Sequence, residues 1–254
     1  MKLEYLMTLA ITEVVIVGGF VIPLLLGRGG VLTLAFCLGL ACTYEMAKLR
    51  FAISYQRLVT LVPAALLLLA LTTLPVLVQL ILALAGMALL ALPPSKSSIA
   101  ALVLYPVVFV SFMPALFDLR QGSAFIAFTY LVTESCDSFA LLIGKAIGRH
   151  KPFKVSPNKT LEGVVGGIAV ATLLGTGAGH LLQWSWSFSA GFSLLLACTT
   201  VPGDLAASRI KRACGVKDFG HVLPLQGGVL DIYDSTLFNL PIAFVVLWLS
   251  QGLS

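Results

Sequence analysis

Apolar residues run along this chain in long blocks separated by short polar segments, at about 5–27, 31–48, 57–74, 76–93, 97–117, 123–147, 160–183, 187–202 and 229–250. Each block is close to the roughly 20 residues a helix needs to cross a bilayer. In lipid a helix meets its own backbone hydrogen bonds, so the pattern predicts an all-α, polytopic membrane protein of about nine transmembrane helices. Two blocks are the least marked. Blocks three and four form a tight hairpin turned at Thr72, Thr73, Leu74 and Pro75, and the short eighth block ends at Pro202-Gly203.

Composition agrees, because 59% of the 254 residues are hydrophobic and only 11% are charged. A soluble globule carries about a quarter charged residues. The net charge of +5 would suggest nucleic acid in a soluble protein, but loop placement accounts for it and no nucleic-acid partner is expected. Threading nine spans puts Lys2, Lys48, Arg50, Arg57, Lys96, Lys145, Arg149, Lys151, Lys154, Lys159, Arg209, Lys211, Arg212 and Lys217 on one side, and only Arg28 and Arg120 on the other. The positive-inside rule makes the richer side cytoplasmic, with the amino terminus there and the carboxyl terminus outside. Lys2, Glu4 and Glu13 interrupt the first block, which predicts a retained helix rather than a cleaved signal. Cys37, Cys42, Cys136, Cys198 and Cys214 form no CxxC pair, so neither disulfides nor a zinc site is expected. The chain divides into 1–120, with about five spans, and 121–254, a catalytic region with cytoplasmic loops 145–160 and 203–228.

Chemistry concentrates in the second half. Glu134, Asp137, Glu162, Asp204, Asp218, Asp231 and Asp234 are seven of the eleven carboxylates. Acids at membrane depth are costly and must face a cation, water or one another. Asp231, Asp234 and Ser235 share a helix face, as do Asp204, Ser208, Lys211 and Arg212, and as do Glu134, Asp137 and Ser138. Three faces of oxygen ligands beside a cationic loop are the ingredients of a Mg²⁺-dependent phosphate site. Simple pairing with nearby cations is the bland alternative, but two aspartates one turn apart with no cation between them repel unless a metal sits there. The segment 144–163 carries five cations and then opens a helix that Ser156 or Asn158 could cap. Neither GxxxxGK[ST] nor GxGxxG occurs, so a nucleotide would be held by metal and side chains.

Ser208-Arg209-Ile210-Lys211-Arg212, Val216-Lys217-Asp218-Phe219-Gly220, Leu223-Pro224, Gly227-Gly228-Val229-Leu230-Asp231 and Asp234-Ser235 together resemble the signature of phosphatidate cytidylyltransferases, the CDP-diacylglycerol synthases. Cys136-Asp137-Ser138-Phe139-Ala140, Gly144-Lys145 and 156–163 are similar to a second stretch of that family, and Tyr44-Glu45-Met46 to its early acidic position. The resemblance covers about residues 40–240. Two positions depart from it: Gln226 stands where the family has a histidine, and Ile232 where it has an arginine.

The resemblance implies a transfer of CMP from CTP to a lipid phosphate, phosphatidate, with release of pyrophosphate, by a multi-pass protein of the cell inner membrane whose active site faces the cytoplasm. Asp204, Asp231 and Asp234 would hold Mg²⁺ and a possible second cation, with Lys211 among the catalytic groups. Asp137, Ser156, Lys159, Thr160, Glu162, Ser208, Arg212, Lys217, Asp218, Gln226 and Ser235 would bind substrate. A homodimer is implied as well. The alternatives are a lipid-alcohol kinase of the same superfamily, a catalytically silent relative, and an ion-binding transporter. His180 reads as a packing residue, and His221 as a poor replacement for the missing histidine. Gly163/Gly167 and Gly175/Gly179 read as close helix contacts, and Trp184 and Trp186 as interface anchors.

Overall fold

The computed structural model describes residues 2–50, 54–71, 74–91, 99–222 and 226–252. Among these the elements are helices: α1 (Lys2–Leu25), α2 (Arg28–Arg50), α3 (Ser54–Leu71), α4 (Val76–Ala91), α5 (Ile99–Val110), α6 (Phe112–Phe117), α7 (Gly122–Ile147), α8 (Leu161–Leu181), α9 (Trp186–Ala213) and α10 (Val229–Gly252). Five are long and apolar enough to cross a membrane: Arg28–Leu49, Gly122–Ile147, Leu161–Leu181, Trp186–Ala213 and Val229–Gln251. Ile11–Leu25, Leu61–Leu71, Leu77–Ala88 and Tyr105–Phe117 are shorter apolar helices. The all-α membrane architecture stands, with a mixture of long and short helices in place of nine uniform spans.

Two blocks differ from the sequence reading. The fifth is interrupted at Ser111, whose hydroxyl donates to Val108 O, because Pro114 has no N–H to continue the ladder. The eighth does not stop at Pro202-Gly203: α9 runs on to Ala213 with Pro202 inside it. Neighbouring groups hold the helix on both sides of the proline. Asn239 bonds Thr200 and Leu196 O on the turn before, and Gly203 lets Phe238 of α10 lie where a Cβ would meet it at 2.9 Å. The consequence is that Thr200, Asp204, Ser208 and Lys211 share one continuous helix.

The chain forms two compact units. The first comprises Met1–Asp118 with Ala213–Tyr233, and the second Leu119–Arg212 with Asp234–Ser254. The segment 213–233, grouped on sequence with the C-terminal region, therefore packs in the first unit.

In the first unit α2 is the hub, touching α1, α3, α5 and α6. Gly39 admits Leu68 and Val110 against its backbone. Of the hairpin turn, Thr72 and Thr73 lie outside the described residues. Beside it the buried Gln79 Nε2 donates to Leu71 O at 2.6 Å and to Leu74 O at 3.3 Å. That amide covers carbonyls a helix end leaves open.

In the second unit α7 lies along α8, and the paired glycines are the reason. A Cβ at Gly167 would meet Cys136 O at 2.6 Å, while Gly175 and Gly179 give room to Ser193 and Ser189 of α9. At one end Phe125, Phe128, Trp184, Phe188 and Phe192 form an aromatic cluster, with Trp184 Nε1–H donating to Gln121 Oε1 at 2.8 Å. Trp186 stacks on His180.

Candidate active site

The second unit collects acids from three helices around two lysines. α7 supplies Asp137, α9 supplies Asp204, Ser208 and Lys211, α10 supplies Asp234 and Ser235, and the segment entering α8 supplies Lys159. Lys159 Nζ lies 2.5 Å from Asp204 Oδ2, and Ser208 donates to Asp204 Oδ1 at 3.3 Å. The nearly buried Lys211 stands 4.0 Å from Asp234 Oδ2. Asp234 Oδ1 accepts from Ser235 N–H at 2.6 Å and from the Ser235 hydroxyl at 3.2 Å. Asp137 interacts with Lys159, with Asp204 and with Ser235. Burial works against the charge on Lys159, but Asp204 and Asp137 outweigh it and hold its pKa above the ordinary lysine value.

Local structure explains why Lys159 can be held there. The N-cap of α8 is Thr160, whose hydroxyl accepts from Gly163 N–H at 3.1 Å; neither Ser156 nor Asn158 plays that part. The sequence expectation is corrected by two to four residues, because 156–159 form a turn of their own, closed by Lys159 N–H to Ser156 O. Glu162 accepts from the N–H groups of Arg149 and His150 and pairs with His150 Nδ1 at 2.5 Å, which fastens the cationic loop to the start of α8. Lys145, Arg149, Lys151 and Lys154 are exposed around it.

Beneath the acids, Asn239 is buried in a polar layer. Its Nδ2 reaches Thr133 Oγ1 of α7 and Thr200 Oγ1 of α9, both at 3.0 Å, and Leu196 O at 3.2 Å, while Oδ1 accepts from Thr199 at 2.7 Å. The sequence reading missed it. Its signal was an amide inside an apolar block, four residues after Ser235.

The first unit treats its acids differently. Glu45, buried on α2, accepts from Val229 N–H and Leu230 N–H, both at 2.8 Å, and so caps α10. Asp231 Oδ2 accepts from Phe219, Gly228 and Gly220 N–H at 2.7, 2.9 and 3.4 Å. Side chains at Gly220 or Gly228 would strike Glu45. Gln226 Nε2 donates to Glu13 Oε1 at 2.5 Å, and Tyr233 stacks on Phe20. Lys217 is exposed and Asp218 half-buried on the same loop, Arg212 is exposed at the end of α9, and Leu223-Pro224 lie outside the described residues.

Of the expected set, Asp137, Lys159, Asp204, Ser208, Lys211, Asp234 and Ser235 thus meet in one cluster, while Ser156, Thr160 and Glu162 shape its loop. Asp231, Lys217, Asp218 and Gln226 belong to the first unit. Among the described residues no group of three His, Cys, Asp or Glu side chains is arranged to hold a metal ion.

Residues 7–250 match the model of the cytidylyltransferase family. Over 130 residues, half of each chain, the sequence is 36% identical to a phosphatidate cytidylyltransferase of Staphylococcus aureus (strain COL). Over 131 residues, 50% of this chain and 49% of the relative, it is 37% identical to that of Bacillus subtilis (strain 168). Over 134 residues, half of each, it is 38% identical to that of Staphylococcus epidermidis (strain ATCC 35984). The chain spans about half the length of these curated relatives.

Proposed function

The chain belongs to the cytidylyltransferase family, and from that premise we propose that it converts CTP and phosphatidate to CDP-diacylglycerol and pyrophosphate. The observation that carries this reading is the cluster in which Asp137, Asp204 and Asp234 meet the ammonium groups of Lys159 and Lys211. Lysines already paired with acids can turn to incoming phosphates without leaving the acids unscreened. A phosphate oxygen of the lipid attacks the α-phosphorus of CTP; the new P–O bond forms as the bond to the β-phosphate breaks, and pyrophosphate leaves. Such a transfer depends on positioning and charge neutralisation rather than covalent help. Lys211 and Arg212 neutralise the triphosphate, and Lys159 with Thr160 and Ser156 closes the rim.

Mg²⁺ fits this donor set as an ion delivered with the nucleotide, because it is commonly held by one or two carboxylates plus substrate phosphates. Asp204 and Asp234 would hold it, and it would stabilise charge on the α-phosphate and the leaving pyrophosphate. Asp231 has Oδ2 committed to three backbone N–H groups, so its first role in this reading is to shape loop 219–228. Gln226, Lys217 and Asp218 border the same loop. The excess of Lys and Arg on one side of the threaded helices supports an active face in the cytoplasm of a cell with the enzyme in its inner membrane, and the family resemblance supports a homodimer.

The test is incubation of the purified protein with labelled CTP, Mg²⁺ and a panel of lipid phosphates. Lipid-linked CMP together with free pyrophosphate is expected. A lipid alcohol converted to its phosphate would instead make the protein a kinase, and no turnover with any lipid phosphate would sink the proposal.

A further inference from the structure

We infer that Asn239 is a positioning residue that fixes the axial register of the three acid-bearing helices, an inference that rests on the reading of Asp137, Asp204 and Asp234 as the active site. Its partners stand in a regular relation to those acids. Thr133 lies four residues before Asp137 on α7, Thr200 four before Asp204 on α9, and Asn239 itself five after Asp234 and four after Ser235 on α10. Residues four apart sit one above the other on a helix face. One amide therefore bonds all three helices a single turn from where their carboxylates project, at 3.0 Å to each threonine.

The layer has little other reason to be polar. Asn239 is fully buried and its neighbours include Leu196, Ala197 and Leu240, which are buried too. Nor do the threonines need it: Thr133, Thr199 and Thr200 each donate to a carbonyl of their own helix, Thr129 O, Leu195 O and Leu196 O, at 2.7–2.8 Å. They would stay satisfied if the amide were removed. What the amide adds is directional. Apolar packing tolerates sliding by a fraction of a turn, whereas a hydrogen bond weakens steeply away from its proper distance and angle. Reacting groups displaced by about 1 Å can lose on the order of a hundredfold in rate.

The test uses the full-length protein in detergent with CTP and phosphatidate. Asn239→Leu fills the space without stranding a hydroxyl, and its melting temperature should stay within a few degrees of the parent. Its kcat should fall at least about tenfold while KM for CTP changes less than about threefold, a split that mere loss of folded protein would not produce. Thr133→Val/Thr200→Val removes the same bonds from the other side and should give a similar fall. The triple variant should be no worse than either, because all three changes break one interaction. A kcat within about threefold of the parent in Asn239→Leu, with Asp234→Asn inactive in the same assay, overturns the register role alone. Activity retained by both Asp204→Asn and Asp234→Asn overturns the reading of the site first, and the role of Asn239 with it.

Discussion

In the second unit Asp204 is met by the ammonium of Lys159 and Asp234 by that of Lys211, whereas in the first unit Glu45 and Asp231 are met by backbone N–H groups. The difference separates acids that do chemistry from acids that hold shape. An ammonium on a side chain can move to a phosphate and leave its carboxylate to an ion. A backbone N–H cannot turn away without undoing the loop or helix end it belongs to. Asp231 and Asp234 make the contrast sharpest, since they stand one turn apart on α10 and share a sequence pattern, yet differ wholly in their partners.

Amide substitutions test this contrast with the largest expected effects. Asp204→Asn and Asp234→Asn should each lower turnover by at least about a hundredfold, as losses of transition-state charge stabilisation commonly do. Their melting temperatures should barely move, because shape is kept and a lysine is released from pairing. Asp231→Asn and Glu45→Gln should instead lower stability together with activity, since a charge-assisted acceptor of backbone N–H groups is lost from each. Thermal unfolding followed beside a CTP turnover assay reads both quantities. Equal melting temperatures across all four variants would erase the distinction.

Lys159→Met comes next. Removing this cation leaves Asp204 and Asp137 to repel one another and takes a positive charge from the rim, so turnover should fall about tenfold or more, in line with the energy of hydrogen bonds to charged groups. Because the Lys159 pKa is raised, the ammonium is fully charged at neutral pH, and its contribution is lost only as pH rises through that raised value. The parent and Lys159→Met should accordingly differ by a constant factor across neutral pH. A ratio that changes between pH 6 and 8 would assign the titration to another group.

Much of this was legible in the letters. Long apolar blocks give membrane helices, and acids repeating at helical spacing inside them give the cluster, because both patterns rest on side-chain chemistry alone. What was hidden depends on backbone partners. Nothing in the string Val229-Leu230-Asp231 says that its N–H groups face Glu45, some 184 residues earlier, or that Asp231 folds back onto Phe219. Ser156, Asn158 and Thr160 are equivalent as helix caps on propensity, and only the turn at 156–159 decides for Thr160. A proline followed by glycine reads as a helix stop, yet packing of Gly203 on Phe238 carries α9 through it.

Membrane orientation sharpens the comparison without changing activity. Single cysteines placed at Lys154 and Arg209 should be shielded from an impermeant reagent added outside intact cells, while one at Arg120 should react. Labelling at 154 but not at 120 would invert the topology and move both sets of acids to the other face.

The smallest effect concerns Gln226 and Ile232, the positions that depart from the family pattern. Gln226 is committed to Glu13 of α1, so a histidine restored there alone would face a carboxylate at hydrogen-bonding distance and be held by it. Gln226→His by itself should therefore change the apparent affinity for CTP by less than about twofold. Adding Ile232→Arg supplies a cation that Glu13 does not already engage, and a charge-assisted contact to phosphate worth roughly 1.5–3 kcal/mol corresponds to about tenfold tighter binding. The two changes act in one loop region and are expected to couple, so the double variant has to be compared with both singles. Replacing Glu13 by Gln in the Gln226→His background provides the decisive arm: affinity should then rise, because the histidine is released from its acid. If CTP binding weakens in the double variant instead, the Glu13–Gln226 pair is a native adaptation to a different nucleotide or lipid, and the substrate pair proposed above is wrong even though the lysine-bridged acids remain the reactive centre.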